Sequence, residues 1–211
     1  MITSVAYSWK GDAAQAIEHA QKAIAKAPTL GDKVFAQTYL GITLCRADRA
    51  REAADLLGSI VPLYEATQWI PGQVFARAYL GEAYLRLGEL DDAKQTVQKG
   101  LELALRCGMK FYVGYLHRLL GEVALKRNPK QLAEPLAAPH FEASISVLRD
   151  IKSENELALA YTGYGRLHKH QGRTAEARDY FARALEIFER LRTLMEPDKV
   201  RAELAALPAS S

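Results

Sequence analysis

The stretch Tyr39-Leu40-Gly41 returns as Tyr79-Leu80-Gly81, as Leu120-Gly121 and as Tyr164-Gly165, which sets the anchoring glycines 40, 40 and 44 residues apart. No feature of the chain restricts its fold more, because self-similarity at such a period belongs to arrays whose units bury their apolar faces only by stacking. Two further columns keep their offset from these glycines. Seven residues on stand Asp48, Gly88, Asn128 and Gly172, with Gly11 in the same place of an incomplete first unit. All are residue types that tolerate positive φ, which a tight turn between antiparallel helices requires. Twelve residues on stand Ala53, Ala93 and Ala177, with Ala16 in the first unit, small side chains where paired helices must come close. A glycine inside a helix costs about 0.5–1 kcal/mol relative to alanine, so its recurrence points to close packing that compensates. Each unit therefore reads as helix, tight turn, helix.

Leu80-Gly81, Tyr84, Gly88 and Ala93 in the clearest unit, Ala177-Phe181-Ala184 in the last and Ala16-Ala20-Ala23-Pro28 in the first resemble the tetratricopeptide repeat (TPR) family, over almost the whole chain. The units are longer than the roughly 34 residues of that family, which brings HEAT-like repeats into view. The Gly, turn and Ala columns nevertheless keep their offsets, and the extra length falls in the second helix and the turn after it. Long units of this kind resemble those in the C-terminal parts of bacterial signalling ATPases and class III nucleotide cyclases. The ending from Phe188 to Leu207 is similar to the tail of such proteins. The resemblance implies an all-α, right-handed superhelical solenoid of about five helical hairpins. It also implies a non-enzymatic role in protein–protein interaction or scaffolding, at the regulatory end of a signalling protein. The alternative is a regulatory solenoid, or an enzyme-associated domain, whose groove holds a small molecule.

One continuous domain over 1–211 follows, with a partial first repeat at 1–28, an inserted Pro-rich loop at 128–140 and a C-terminal cap at 197–207. Residues 1–9 supply only the end of a first helix, and Asp12–Ala27 its partner, with Ala13, Ala16, Ile17, Ala20, Ala23 and Ile24 on one face. That stub predicts either a longer parent chain or self-association through the N-terminal end. The next pairs are Lys33–Ala47 with Ala50–Thr67, Gly72–Leu87 with Leu90–Cys107, and Asn155–His170 with Ala175–Leu194. Between the last two, Phe111–Lys126 is followed by Asn128-Pro129, where proline disfavours a helical Asn128, and the Ala column resumes at Ala143. Ser153-Glu-Asn-Glu156 has capping-box spacing. The terminal segment sets Val200, Leu204 and Leu207 over the open end, as solenoids require.

Apolar residues make up 49% and charged residues 25%, and the net charge of +3 with no long basic cluster argues against a nucleic-acid partner. Two cysteines make no disulfide framework. No apolar run approaches the ~18–20 residues of a membrane span, and Met1–Lys10 has no apolar core of a secretory signal. A cytoplasmic protein without membrane contact is expected. No glycine falls into a phosphate-binding spacing, and no cofactor is expected. His168 and His170 point some 200° apart on a helix and cannot chelate one ion, so solvated surface histidines are the expectation. Asp91-Asp92 suits a helix N-terminus.

The remaining constellation lies along the first helices. Positions −6, −3, +1 and +5 from each anchor glycine share one helical face, which by resemblance to TPR proteins lines the groove. The +5 row is Arg46, Arg86, Lys126 and His170, the −6 row Phe35, Phe75, Tyr115 and Leu159, and Arg118 stands at −3. Cations beside aromatics suit an extended, acidic protein or peptide segment. The plainer reading is a solvated face in which Glu82–Arg86 and Glu122–Lys126 are ordinary i,i+4 pairs, worth ~0.2–0.5 kcal/mol each.

Overall fold

The computed structural model describes residues 13–127, 130–193 and 196–208, and only the backbone at 130–132. The expectations for residues 1–9, Gly11 and Asn128 fall outside that range. Among the described residues every regular element is an α-helix. The chain divides into two compact units, 1–108 and 109–211.

The first unit holds α1 (Ala13–Ala25), α2 (Leu30–Arg46), α3 (Ala50–Ala66), α4 (Ile70–Leu87) and α5 (Leu90–Arg106). Each packs on the next, and α2 also lies beside α4. Thr29 caps α2, its hydroxyl accepting the Asp32 N–H at 3.1 Å. In α1, Ala16 and Ala20 are fully buried, while Ile17, Ala23 and Ile24 are half-buried. The second unit holds α6 (Lys110–Arg127), α7 (Lys130–Asp150), α8 (Glu154–His170), α9 (Thr174–Leu191) and α10 (Glu196–Ala205). Sequence neighbours pack in order here too, and α6 lies beside α8. Within each unit this is the packing of an α-solenoid. At the end of the chain α10 packs on α9 and places Val200 and Leu207 in the core.

The columns read from the sequence have physical partners. A Cβ on Gly41 would sit 2.5 Å from Leu57, one on Gly165 would sit 2.7 Å from Phe181, and one on Gly81 would collide with Val97. Each glycine is thus the floor on which a second-helix side chain rests. Asp48, Gly88 and Gly172 all have positive φ, at 60°, 78° and 77°. The residue after each sends its N–H back to a carbonyl five residues earlier, Arg49 to Leu44, Glu89 to Tyr84 and Arg173 to His168, which is the Schellman closure of a helix end. The turns between repeats use the same device at Gln68, Lys152 and Arg192, with φ of 52°, 55° and 53°. The closing bonds run from Trp69 to Tyr64, Ser153 to Leu148 and Thr193 to Phe188. That second column is invisible in residue types, because only Gly108 among these inter-repeat turns is a glycine.

Residues 130–140, the described part of the segment expected as an inserted loop at 128–140, are helical. Helix α7 is 21 residues long where α3 and α5 are 17, so the four extra residues lengthen the second helix by about one turn. The Ala column stands at Ala133 and Ala137, both fully buried, rather than at half-buried Ala143. Phe141, one turn further, rests on Gly121 and on Gly163. Pro135 and Pro139 lie inside this helix and are exposed, like Pro62 inside α3. A proline in a helix removes one N–H and strands the carbonyl four residues back. On an exposed face solvent reaches that carbonyl, and the buried face of the helix continues.

Candidate partner-binding surface

In the first unit the pairing of α2 with α4 assembles a ladder of rings. Phe35 and Phe75, each six residues before its anchor glycine, lie 6.1 Å apart between centroids. Tyr39 bridges them, 5.1 Å from Phe35 and 5.2 Å from Phe75, edge to face in both cases. Trp69 extends the ladder, 5.8 Å from Phe35 and 5.0 Å from Tyr64, while Tyr79 closes it, 5.7 Å from Phe75. Trp69 is 42% exposed, and Phe35, Tyr39 and Phe75 are half-buried. The indole is seated on Gly72, where a Cβ would strike its ring. Tyr39 and Trp69 were not among the expected site residues. Tyr39 and Tyr79 stand four residues after Phe35 and Phe75, one turn along the same face, and that spacing was the available signal. Trp69 precedes its helix, so no helical periodicity reaches it.

The cations of this unit stand further along the same helices. Arg86 is exposed and donates to Glu82 at 2.8 and 3.1 Å, the expected i,i+4 pair. Arg46, in the last turn of α2, is half-buried. Arg77 and Glu65 form an ion pair between α4 and α3.

In the second unit the expected site residues separate. Lys126 is exposed and His170 half-buried. Tyr115 is 1% and Arg118 5% exposed, so neither offers a surface to a partner. Both leave the candidate site because packing covers them. The Arg118 guanidinium donates to Glu122 at 2.7 Å, lies 3.3 Å from Glu156 on α8, and sits 4.8 Å from the centroid of the Tyr115 ring. Glu156 therefore serves an internal ion pair rather than a capping box, and Ser153 makes no side-chain cap hydrogen bond.

His168 is also not the surface histidine that was expected. It is 7% exposed, stacks on Tyr180 at 5.2 Å with 9° between planes, and lies 4.7 Å from Tyr164. Burial, with the Arg173 charge behind it, lowers its pKa. Lys169 pairs with Glu203 at 2.8 Å. Among the described residues no three His, Cys, Asp or Glu side chains converge as metal ligands. No helix there is long and apolar enough to cross a membrane. Cys45 is buried and Cys107 exposed, and neither forms a disulfide.

Comparison with known proteins agrees with this architecture. Two family models, each described as a tetratricopeptide repeat, match residues 78–107 and 134–190. No curated protein matches the chain. Among solved structures, the crystal structure of BtubC (BKLC) from P. vanneervenii superposes with a TM-score of 0.64 at 17% identity, covering 94% of this chain and 81% of that one. At such identity the likeness concerns the fold. Repeat columns, turn geometry and family matches together identify tetratricopeptide repeats at residues 78–107 and 134–190.

Proposed function

We propose that the first unit holds an extended, acidic protein segment along the Phe35–Phe75 face, and that the chain acts as a protein-interaction module at the regulatory end of a cytoplasmic bacterial signalling protein. TPR repeats generally mediate protein–protein interaction or scaffolding. The observation that carries the reading is the ring ladder, half-exposed and continuous from Trp69 to Phe75 across two helices. Aromatic rings offer large, rigid contact area at low entropic cost, and are enriched at interfaces for that reason. Arg46 and Arg86 add positive charge on the same helices, which favours carboxylates in the occupant.

The test is an acidic peptide titrated against the protein at rising salt. Affinity falls as screening shortens the reach of the charges. Arg86→Glu lowers affinity about tenfold, whereas Arg183→Glu leaves it unchanged. The control is matched, because Arg183 also forms an exposed i,i+4 pair, with Asp179 at 2.8 Å. Equal binding by both variants removes the proposal.

A further inference from the structure

His117 on α6 and His140 on α7 bring their Nδ1 atoms to 3.0 Å, with ring centroids 5.3 Å apart. Both rings are half-buried. The approach is built by the backbone around it. Three residues before His117, the Gly114 carbonyl accepts the buried Ser144 hydroxyl at 2.7 Å. Four residues after it, Gly121 lets the Phe141 ring lie where a Cβ would be 2.8 Å away. The two helices are thus held in register on either side of the imidazole pair, and both rings arrive facing each other.

Two nitrogens at 3.0 Å require one N–H donor and one bare lone pair, so a single proton lies between the rings at neutral pH. A second proton would bring two imidazolium cations together in a half-buried place. The arrangement therefore brings two imidazole Nδ1 atoms together, one of them with its lone pair bare. Borderline divalent ions such as Zn²⁺ take neutral imidazole nitrogen at ~2.0–2.1 Å with tetrahedral angles, which places two ligand nitrogens about 3.3 Å apart. The pair needs to open by about 0.3 Å, and both rings to turn their Nδ1 atoms from each other towards the ion, to meet that geometry.

We propose that His117 and His140 form a two-histidine site for a divalent transition-metal ion, tying α6 to α7 through their Nδ1 atoms, with water in the remaining positions. On binding, the ion takes both Nδ1 lone pairs. The histidine that donated its Nδ1 proton then carries that proton on Nε2, so no proton is lost overall. No third His, Cys, Asp or Glu joins the pair among the described residues, so the site has open coordination and exchanges its metal with solution.

Zn²⁺ titrated into the intact protein tests this, read by imidazole ¹⁵N resonances and by thermal unfolding. The expected result is one equivalent bound, with the Nδ1 resonances of His117 and His140 shifting together while those of His19, His168 and His170 stay. At free Zn²⁺ about 100-fold above the dissociation constant, the folded-to-unfolded ratio rises about a hundredfold, equal to about 2.7 kcal/mol. His117→Gln and His140→Gln each lower the affinity at least about tenfold, and His19→Gln leaves it unchanged. Should a variant fail to fold, the resonances of the unaltered protein decide alone. The proposal is overturned by no binding up to millimolar Zn²⁺, by shifts confined to other histidines, or by full affinity in either glutamine variant.

Discussion

Arg118 and Glu156 meet inside the second unit at 3.3 Å, with side chains only 6% and 2% exposed. They lie on α6 and α8, the first helices of successive repeats, so this charge pair locks one repeat to the next. Taking two charges out of water is costly, and the pair persists because Glu122 and the Tyr115 ring also face the guanidinium. Arg118→Leu leaves the Glu156 charge buried and costs about 3–5 kcal/mol in urea unfolding. Adding Glu156→Leu to it recovers most of the loss, since an apolar pair needs no counter-charge. A double variant as unstable as the single one would show that shape rather than charge holds the joint.

Gly81 supports Val97 directly, and the side chain has no room to move aside in a close-packed helix pair. Gly81→Val therefore forces α4 and α5 apart and destabilises the protein by about 1–3 kcal/mol. Denaturant unfolding measures this, and Gly58→Val serves as control because nothing lies within 4 Å of a Cβ there.

Lys152 holds a left-handed conformation, φ 55°, to close the turn between α7 and α8. That conformation costs a side-chain-bearing residue roughly 1–2 kcal/mol, part of which glycine avoids. Lys152→Gly raises the unfolding free energy by up to ~1 kcal/mol. A loss of stability would mean that the lysine side chain contributes more than its backbone costs.

His117 stays neutral in the folded protein down to about pH 4, and His168 is lowered in the same direction. Unfolded histidine protonates near 6.5. Between these values the unfolded chain binds more protons, so stability is greatest above about pH 7 and falls as pH drops towards about 4. Urea midpoints at about pH 7.5 and about pH 5.5 show the fall, and His117→Gln reduces it. A midpoint unchanged between the two would place both histidines in contact with water.

The spacing of Gly41, Gly81, Gly121 and Gly165 carried the repeat, because a position under a large second-helix side chain has no room for a Cβ, and the turns within the hairpins use Asp48, Gly88 and Gly172. The cationic and aromatic rows were legible as rows, since positions on one helical face follow from 3.6 residues per turn. Their fate was not legible. Phe35 and Phe75 stay half-exposed while Tyr115 is buried and Arg118 is drawn into an ion pair. What covers a position depends on the neighbouring helix, not on its own. The prolines of 128–140 read as a loop because proline disfavours helix in isolation. Packing of Ala133, Ala137 and Phe141 on one face, with Pro135 and Pro139 turned to solvent, made an extra helical turn instead. The helical hairpin, the turn inside it and its period follow from residue types, because all are set by contacts within one unit. Which charges are buried, where the ring ladder is open and that His117 meets His140 emerge only on folding, because they depend on which side chains of different helices come to share one place.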